Sequence, residues 1–544
     1  MRESWSHFRG WFDRRGLSVA VCVAYLAVVV AFVLAFADFY IPGKGFSSLI
    51  AFGSEFEDSR LSKIRRLDYY VEKSSTGYDA QYYVQVAMDP SLQNTQLRNA
   101  VDSLPYRARR ILLPAIAYVL GFGDPASILQ AYAVENMVAW LLLAVLLLHW
   151  FPPRCWENFL RWAGVMATFG LCFSLRHALT DGPSLLLVAF GLFLLEKQRP
   201  WLATGVLALS GLAKETNLLG AASLAPARLR PWSGWLTAAT RGVLVAAPLA
   251  LWIVYISLTV GAAADAGARN FALPGVGYIH KWREIFDTLP DTTVGELGPI
   301  WSLLMMIALT AQFLFLVLRP RWQEAWWRVG VSFALLMVFL GDAVWEGYPG
   351  AASRVLLPMQ LAFNVLAPRG RVWLAVLVVG NLTLLGAPSV LRAPPGEGLV
   401  IGGPSRLLES AAGAGFKAEF GSAWHRTEQG GTGYWTWAAG NAVVTIVNPH
   451  ATPVAVRLKL GLTSPVARDV QLVLNGEPVW RTSVPLRGQV TATITEIVLR
   501  PGRNELAFST EAAAVTVSGD PRPLAFAVHN FRVDVQRLLP AEAR

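Results

Sequence analysis

The residues that could take part in a reaction are concentrated in the polar stretch 38–109, which follows the first apolar segment. Asp79 lies among aromatic residues in Gly77-Tyr-Asp-Ala-Gln-Tyr-Tyr83, and three arginines stand where the next apolar segment begins: Arg107, Arg109 and Arg110. A carboxylate can act as a general base, and a guanidinium group can hold a phosphate with two parallel hydrogen bonds. The combination favours a base beside an anion site. The alternative is that Asp79 caps a surface helix and the arginines anchor the chain at a membrane interface.

The order of the three arginines limits how many can act together. If they lie on one helix, Arg107 and Arg110 share a face, whereas residues two apart point in different directions. We therefore expect one or two of them to contact a lipid phosphate. Lys214 and Glu215 are ionisable residues in an otherwise apolar segment, where insertion costs ~2.5–3.5 kcal/mol per charged group. Lys214 is a candidate phosphate ligand. The alternative is an ion pair with Glu215 or with a neighbouring helix.

Two further polar groups are predicted at the ends of apolar segments. His177 and Asp181 are four residues apart and could share a helical face, where the histidine could relay a proton or bind phosphate. The alternative is that Thr180 or Asp181 only caps a helix. Arg354 immediately precedes a predicted helix that begins at Val355, and a helix N-terminus with an arginine is suited to bind an anion.

The composition predicts an integral membrane protein. Of 544 residues, 54% are hydrophobic and only 15% are charged, which is too apolar for an ordinary soluble protein. The net charge of +10 comes from basic residues in short segments between apolar runs, as the positive-inside rule requires, so we expect no nucleic-acid partner. The three cysteines have no metal-ligand spacing, and we expect no disulfide framework.

The apolar runs predict about eleven membrane segments, and the first is about as long as a ~30 Å hydrocarbon core needs. The first, 17–37, follows several arginines and is predicted to be an uncleaved helix with the N-terminus in the cytoplasm. Residues 200–226 have basic residues at both ends, so two half-helices meeting at a turn are favoured there. The remaining segments are 126–150, 162–176, 180–195, 242–260, 299–318, 329–343, 353–367 and 372–390. This topology places the loop 38–109 and the C-terminus outside, in a bacterial inner membrane.

The sequence changes character after a Gly/Pro-rich linker at 393–398. Runs that alternate between apolar and polar residues are separated by turn signals every 8 to 12 residues, which is typical of an antiparallel β-sandwich. The predicted domains are thus a membrane domain, 1–392, and a periplasmic β-sandwich domain, 393–544. Trp435 and Trp437 are two apart on one strand, and this spacing favours the sandwich core over a surface that stacks sugars.

The order of these motifs resembles the GT-C superfamily of polyprenyl-phosphate-sugar-dependent membrane glycosyltransferases. An acidic residue with paired tyrosines in the first outer loop looks like the active-site loop of that family, and Gly211-Leu-Ala-Lys-Glu-Thr216 is similar to one of its hairpins. The resemblance implies a GT-C-like helical fold with Asp79 as the catalytic base. Ala80 follows Asp79, so an adjacent acidic pair is missing and a divalent metal or other cofactor is not expected. The substrate-binding candidates are Tyr78, Gln81, Tyr82, Arg107, Arg109, Arg110, His177, Asp181, Lys214, Glu215 and Arg354.

The resemblance implies transfer, with inversion, of a sugar from a polyprenyl-phosphate donor to a glycan or lipid acceptor on the periplasmic side. Membrane lipids are the other expected partners. A transporter or flippase of lipid-linked glycans is the main alternative, and a non-catalytic scaffold is a third. The flippase would need a polar path across the membrane, whereas the ionisable residues concentrate at the outer ends of the apolar segments. The sequence leaves the sugar, the polyprenol and the acceptor open.

Overall fold

The structure, a computed structural model, describes residues 2–73, 75–228, 230, 232–261, 267–291, 298–347, 349–394, 399–408, 415–430, 433–486, 488–517 and 520–540. The chain divides into two compact units. The helical unit comprises residues 1–52, 56–71 and 77–393, and the β unit comprises residues 53–55, 72–76 and 394–544. A helical body and a separate C-terminal β domain are therefore both confirmed.

Twenty α-helices precede residue 394 in the part of the chain that the structure describes. They are α1 (Arg2–Ala37), α2 (Ser62–Arg65), α3 (Ala80–Ala87), α4 (Leu97–Ala100), α5 (Leu104–Arg107), α6 (Leu112–Leu120), α7 (Pro125–Leu146), α8 (Trp156–Met166), α9 (Phe169–Arg176), α10 (Asp181–Glu196), α11 (Pro200–Ala213), α12 (Trp232–Thr259), α13 (Val276–Thr288), α14 (Gly298–Leu318), α15 (Ala325–Phe339), α16 (Asp342–Trp345), α17 (Ala352–Val355), α18 (Leu357–Leu366), α19 (Arg371–Gly380) and α20 (Ala387–Val390). Short helices α2–α5 lie within the predicted outer loop.

The chain is a membrane protein. Among the described residues, four helices are long and apolar enough to cross a membrane: Val19–Ala37, Pro125–His149, Ser233–Thr259 and Gly298–Leu318. A fifth span is possible if Arg371–Gly380 and Leu382–Val390, which meet at 46°, count as one. The predicted number of about eleven is not confirmed, because several of the predicted segments are shorter helices here, among them Pro200–Ala213, Ala325–Phe339 and Leu357–Leu366.

The predicted break inside 200–226 is present. Helix α11 ends at Ala213, Lys214 adopts an extended backbone, and a 3₁₀ helix follows from Glu215 to Leu224. The second half is therefore a 3₁₀ helix rather than an α-helix. A polar Lys-Glu pair is readily accommodated at such a break, because backbone groups freed from the α-helical pattern and charged side chains can share partners there.

The β unit contains two antiparallel sheets that share one hydrophobic core. Its elements are β1 (Phe52–Gly53), β2 (Val71–Glu72), β3 (Leu399–Gly402), α21 (Ser405–Leu408), β4 (Lys417–Phe420), β5 (Trp424–Gly430), β6 (Gly433–Ala438), β7 (Ala442–Asn448), β8 (Val454–Thr463), β9 (Arg468–Leu474), β10 (Glu477–Val484), β11 (Gln489–Leu499), β12 (Gly502–Ser509), β13 (Val515–Val517), β14 (Asp520–Leu524) and β15 (Phe526–Leu538), with β1 and β2 lying partly in the helical unit. One sheet has the order β10-β9-β12-β7-β4 and the other β11-β8-β15-β6-β5, with β3 parallel to β15. The predicted sandwich is confirmed, apart from this parallel strand.

The prediction for the two tryptophans of β6 is wrong. Thr436 and Ala438 are the buried residues of that strand, at 1% and 0% exposure, whereas Trp435 and Trp437 are half-buried on the opposite face. Because side chains alternate along a strand, burial of Thr436 and Ala438 directs both indoles outward. The core aromatic residue of this region is Trp424, which meets Phe508 and Phe526 edge to face.

Candidate active site

Asp79 stands immediately before α3, a helix whose eight residues are all buried. Helix α3 packs against α6 and α7, so it is a core helix and the surface-helix alternative for Asp79 is wrong. Asp79 occupies the N-cap position, yet its side chain makes no capping hydrogen bond. The carboxylate is instead directed to Arg107, whose Nη2 lies 3.1 Å from Asp79 Oδ1, and the Asp79 side chain is 33% exposed.

Arg107 links two carboxylates of the outer loop. Its Nε and Nη2 donate to the two oxygens of Asp102 at 3.0 and 2.7 Å, a bidentate pair, while Nη2 also reaches Asp79. The guanidinium lies 5.2 Å from the ring centroid of Tyr82. Burial lowers the pKa of Arg107, but the hydrogen bond that it donates to Asp102 and the charge of Asp79 outweigh burial and raise it. Arg107 is thus a fixed cation that positions Asp79.

Arg110 joins the outer loop to the break after α11. Its Nε lies 3.0 Å from Glu215 Oε2, and its two terminal nitrogens donate to the hydroxyls of Tyr83 at 2.5 Å and Tyr106 at 3.1 Å. The three arginines do not lie on one α-helix, because α5 ends at Arg107 and a 3₁₀ turn carries Ala108–Arg110 before α6 begins. Arg107 and Arg110 nevertheless both face the Tyr83 ring, at 5.7 and 5.9 Å.

Asp181, the first residue of α10, is the centre of a second ion network. Lys214 Nζ is paired with Asp181 Oδ1, and Arg354 Nη1 donates to Asp181 Oδ2 at 3.2 Å. The Arg354 Nη2 donates to the Tyr78 hydroxyl at 3.1 Å. Neither Thr180 nor Asp181 makes a side-chain capping bond, so the capping alternative is wrong. Lys214 forms an ion pair with a neighbouring helix, which was the alternative to its binding a phosphate.

Arg354 does not stand at a helix N-terminus as predicted. It lies in the last turn of the four-residue helix α17, and α18 begins at Leu357. His177 is beside the same network, since its ring centroid lies 4.6 Å from Tyr78 and 4.4 Å from Phe173. Gln81 is buried within α3, at 1% exposure. The aromatic residues Tyr78 and His177 therefore form the side of the cluster nearest to Arg354.

The tyrosines of the outer loop are held in their neutral form. Burial raises the pKa values of Tyr78, Tyr82 and Tyr83 above the usual value for a phenol, and nearby arginines offset only part of this effect. A phenol with a raised pKa stays protonated at neutral pH and is a poor general base. Asp79 is a carboxylate with one arginine contact and partial exposure, and it is better suited to accept a proton.

The charges of the cluster pair almost completely. Asp79 and Asp102 share Arg107, Asp181 binds Lys214 and Arg354, and Glu215 binds Arg110. Arg109 differs from these cations, because among the described residues it has no carboxylate within ion-pair distance. Its guanidinium lies 5.8 Å from the ring centroid of Tyr106. A cluster that is otherwise neutralised thus keeps one arginine whose charge is available to an anionic ligand.

The comparisons with known proteins give weak similarities. No family model and no curated protein matches the sequence. A family two carbohydrate esterase from Clostridium thermocellum in complex with cellohexaose matches 23% of this chain and 34% of its own, at 14% identity and a TM-score of 0.15. An exo-beta-1,3-galactanase from Phanerochaete chrysosporium with galactose matches 21% and 29%, at 17% identity and a TM-score of 0.14.

A further similarity extends over most of the chain. Arabinosyltransferase EmbB from Mycobacterium smegmatis matches 94% of this chain and 64% of its own length, at 12% identity and a TM-score of 0.27. This chain thus spans about a third of the esterase and less than two thirds of the arabinosyltransferase. TM-scores of this size carry no conclusion about activity, and the chemistry below rests on the site itself.

Several residues of the cluster were not singled out by sequence reasoning. Asp102 fixes Arg107, and Tyr83 and Tyr106 bind Arg110. Glu135 was also missed, although it is the only charged residue of α7 and an isolated acid in an apolar helix is a usable signal. Within the described ranges, no group of three or more His, Cys, Asp or Glu side chains could hold a metal ion.

Proposed function

We propose that the protein is a membrane glycosyltransferase that moves a sugar from a polyprenyl-phosphate donor to an acceptor hydroxyl on the extracytoplasmic side, with Asp79 as the general base. The observation that carries the proposal is the Asp79–Arg107–Asp102 arrangement beside Arg109. It combines a partly exposed carboxylate, a cation that orients it and a second cation without a carboxylate partner.

The choice of base follows from how each carboxylate of the cluster is used. Both oxygens of Asp102 and both oxygens of Asp181 accept bonds from cations. One oxygen of Glu215 accepts from Arg110, and its other oxygen is buried. Asp79 has a single contact to Arg107 and is partly open to solvent. A base must reach the proton of a bound acceptor within hydrogen-bond distance, and Asp79 meets that requirement best.

The leaving group requires a cation that is not already neutralised. Negative charge grows on the phosphate oxygen as its bond to the sugar breaks, and a fixed positive charge at that point lowers the barrier. Arg109 supplies such a charge from the same 3₁₀ turn as Arg110, directly after Arg107. Lys214 and Arg354 are assigned to positioning instead, because both are already bound to Asp181.

The reaction is a single displacement. Asp79 takes the proton of the acceptor hydroxyl, the acceptor oxygen forms a bond to the anomeric carbon, and the bond from that carbon to the phosphate oxygen breaks. Polyprenyl phosphate leaves with the electron pair. One base and no nucleophilic carboxylate opposite it imply inversion at the anomeric carbon.

The test is transfer of labelled sugar by the purified protein in lipid vesicles, with a panel of polyprenyl-phosphate monosaccharides. Asp79→Asn should abolish transfer. Asp89→Asn is the matched control, because Asp89 lies in the same loop but serves a local turn, accepting from the backbone of Asn94 at 2.7 Å. It should retain transfer. Movement of lipid-linked sugar across the vesicle membrane, without transfer to any acceptor, would favour a flippase and overturn the proposal.

A further inference from the structure

Helix α7 carries two side chains whose polar atoms are buried and that the mechanism above does not use. The hydroxyl of Tyr132 and both carboxylate oxygens of Glu135 are buried, and no side chain or backbone group among the described residues hydrogen-bonds to them. The two residues are three apart, so they lie on adjacent parts of one helix face. A buried polar group without a partner is costly, and such groups are rare outside functional positions.

Glu135 is unusual for its position. It is the only charged residue between Pro125 and Leu146, and no cation of the described residues lies within ion-pair distance of it. Packing alone would favour a leucine at such a site, since ionisable groups in membrane helices are costly and usually serve a polar ligand or a polar path. A structural ion pair, which explains Lys214 and Arg354, does not account for Glu135.

Helix α7 is fixed beside the start of α10 at the residue that follows Glu135. Asn136 follows Glu135, and its Nδ2 donates to the Leu179 carbonyl at 2.8 Å, two residues before Asp181. The close approach is supported by Gly182, where an added Cβ would lie 3.2 Å from Asn136 Oδ1. Glu135 is therefore level with the start of α10.

Tyr132 is close to the other network. Its ring is completely buried, and the charges of Asp79 and Arg110 act on its hydroxyl, as does the neighbouring Tyr83. Helix α3, which carries Tyr83, packs against α7. The Tyr132 hydroxyl is thus close to the region of the general base, and the Glu135 carboxylate is level with Asp181.

We propose that Tyr132 and Glu135 form a sugar subsite in which the Glu135 carboxylate accepts hydrogen bonds from hydroxyls of the donor sugar and so determines which sugar is transferred. A sugar ring supplies adjacent hydroxyls that donate to a carboxylate, while the Tyr132 hydroxyl can donate or accept. The proposal rests on the glycosyltransferase function above and names the part of the substrate that α7 recognises. Glu135 is a specificity-determining residue and takes no part in the proton transfer.

The experiment combines protein variants with altered sugars. Wild-type protein, Glu135→Leu, Glu135→Gln and Tyr132→Phe are reconstituted in vesicles and supplied with polyprenyl-phosphate donors that carry a pentofuranose, a hexopyranose or their monodeoxy analogues. With the sugar that wild type transfers, Glu135→Leu should raise the donor KM by about tenfold, the equivalent of one hydrogen bond to the ligand. Removal of one particular hydroxyl should weaken the donor by a similar factor for wild type and leave Glu135→Leu unaffected.

Stability separates this role from a structural one. Glu135→Leu should unfold at the same temperature as wild type or higher, because a buried carboxylate without a partner is removed. The control is Asn364→Leu, a buried amide of α18 whose Nδ2 donates to the Gln360 carbonyl at 2.9 Å and whose Oδ1 accepts from Asn381 Nδ2 at 2.8 Å. It should lower the unfolding temperature and leave the choice of sugar unchanged.

The outcomes distinguish the two proposals. If Glu135→Leu leaves the donor KM and the response to every deoxy donor unchanged, the sugar subsite is wrong even if Asp79→Asn is inactive. A Glu135→Leu protein that unfolds at a lower temperature and is inactive with all donors also overturns it. If Asp79→Asn retains full transfer while Glu135→Leu shows the altered KM, the base is wrong and the sugar subsite stands.

Discussion

Replacing Asp181 by asparagine should destabilise the helical unit more than any other single change in the ion networks. The Asp181 side chain is 5% exposed and is the shared counter-ion of two cations, Lys214 at 6% and Arg354 at 12% exposure. Asparagine has nearly the same shape but no charge, so both cations would lose their counter-ion in a buried site. Removing one partner of a buried ion pair costs about 3–5 kcal/mol.

The Lys214→Met variant should be much milder. Methionine fills most of the volume of the lysine side chain, and Asp181 would keep its contact with Arg354 at 3.2 Å. No buried charge is then left without a partner, so the cost is close to that of one charged hydrogen bond, about 1.5–3 kcal/mol. The double variant Asp181→Asn/Lys214→Met removes the pair together. It should be less destabilised than the sum of the single variants by ~1–3 kcal/mol, the usual coupling for contacting residues.

The assay is the free energy of unfolding in mixed micelles for the four proteins of this cycle, with transfer activity measured alongside. We expect Lys214→Met to fold and to keep its donor KM, since Lys214 acts through Asp181. Additive effects of the two substitutions would refute the buried pair. A large rise in donor KM for Lys214→Met at unchanged stability would show that Lys214 binds the donor phosphate directly.

Three further predictions concern single sites. Arg109→Gln should weaken donor use by about 10²-fold. Arg98→Gln should not, because Arg98 is exposed and, among the residues that the structure describes, hydrogen-bonds only to the Thr259 carbonyl. Equal effects of the two substitutions would contradict the anion site. Trp435→Ala should leave stability nearly unchanged, and Trp424→Ala should cost about 3–5 kcal/mol because its ring is in the core. If Trp435→Ala lowers the unfolding temperature more than Trp424→Ala does, the assignment of the two faces is contradicted. Burial lowers the pKa of His529 below 6.5, so the unfolded chain binds more protons, and the β unit should lose stability as the pH falls below about 6.5. Substitution by glutamine should reduce this loss, and an unchanged pH profile would contradict it.

The sequence was informative where a local pattern has one physical meaning. Alternating residues with Asn-Gly and Pro-Gly turns predicted the sandwich, and basic residues at both ends of the apolar run 200–226 predicted the break within it. Asp79 was singled out because it stands among aromatic residues beside a run of arginines. Each of these patterns depends only on residues that are close together in the sequence, so long-range contacts in the fold do not change what it predicts.

The contacts that the sequence could not give are long-range. The partners of Asp181 are 33 and 173 residues away, and nothing local distinguishes a lysine that binds phosphate from one that binds an aspartate. The face taken by Trp435 depends on which side of β6 meets the second sheet, since a shift of one residue exchanges the two faces. Trp435 and Trp437 share a face by spacing in either case, so the spacing alone could not decide between core and surface.

The central claim is that Asp79 removes the acceptor proton, and the most direct measurement is the transfer rate of Asp79→Asn at saturating donor. We expect kcat to fall by about 10²–10⁴-fold, the usual contribution of a general base, with the donor KM little changed. Asp89→Asn, tested in the same vesicles, should transfer at nearly the wild-type rate. An Asp79→Asn rate within about threefold of wild type, well below the contribution of a general base, would contradict the claim.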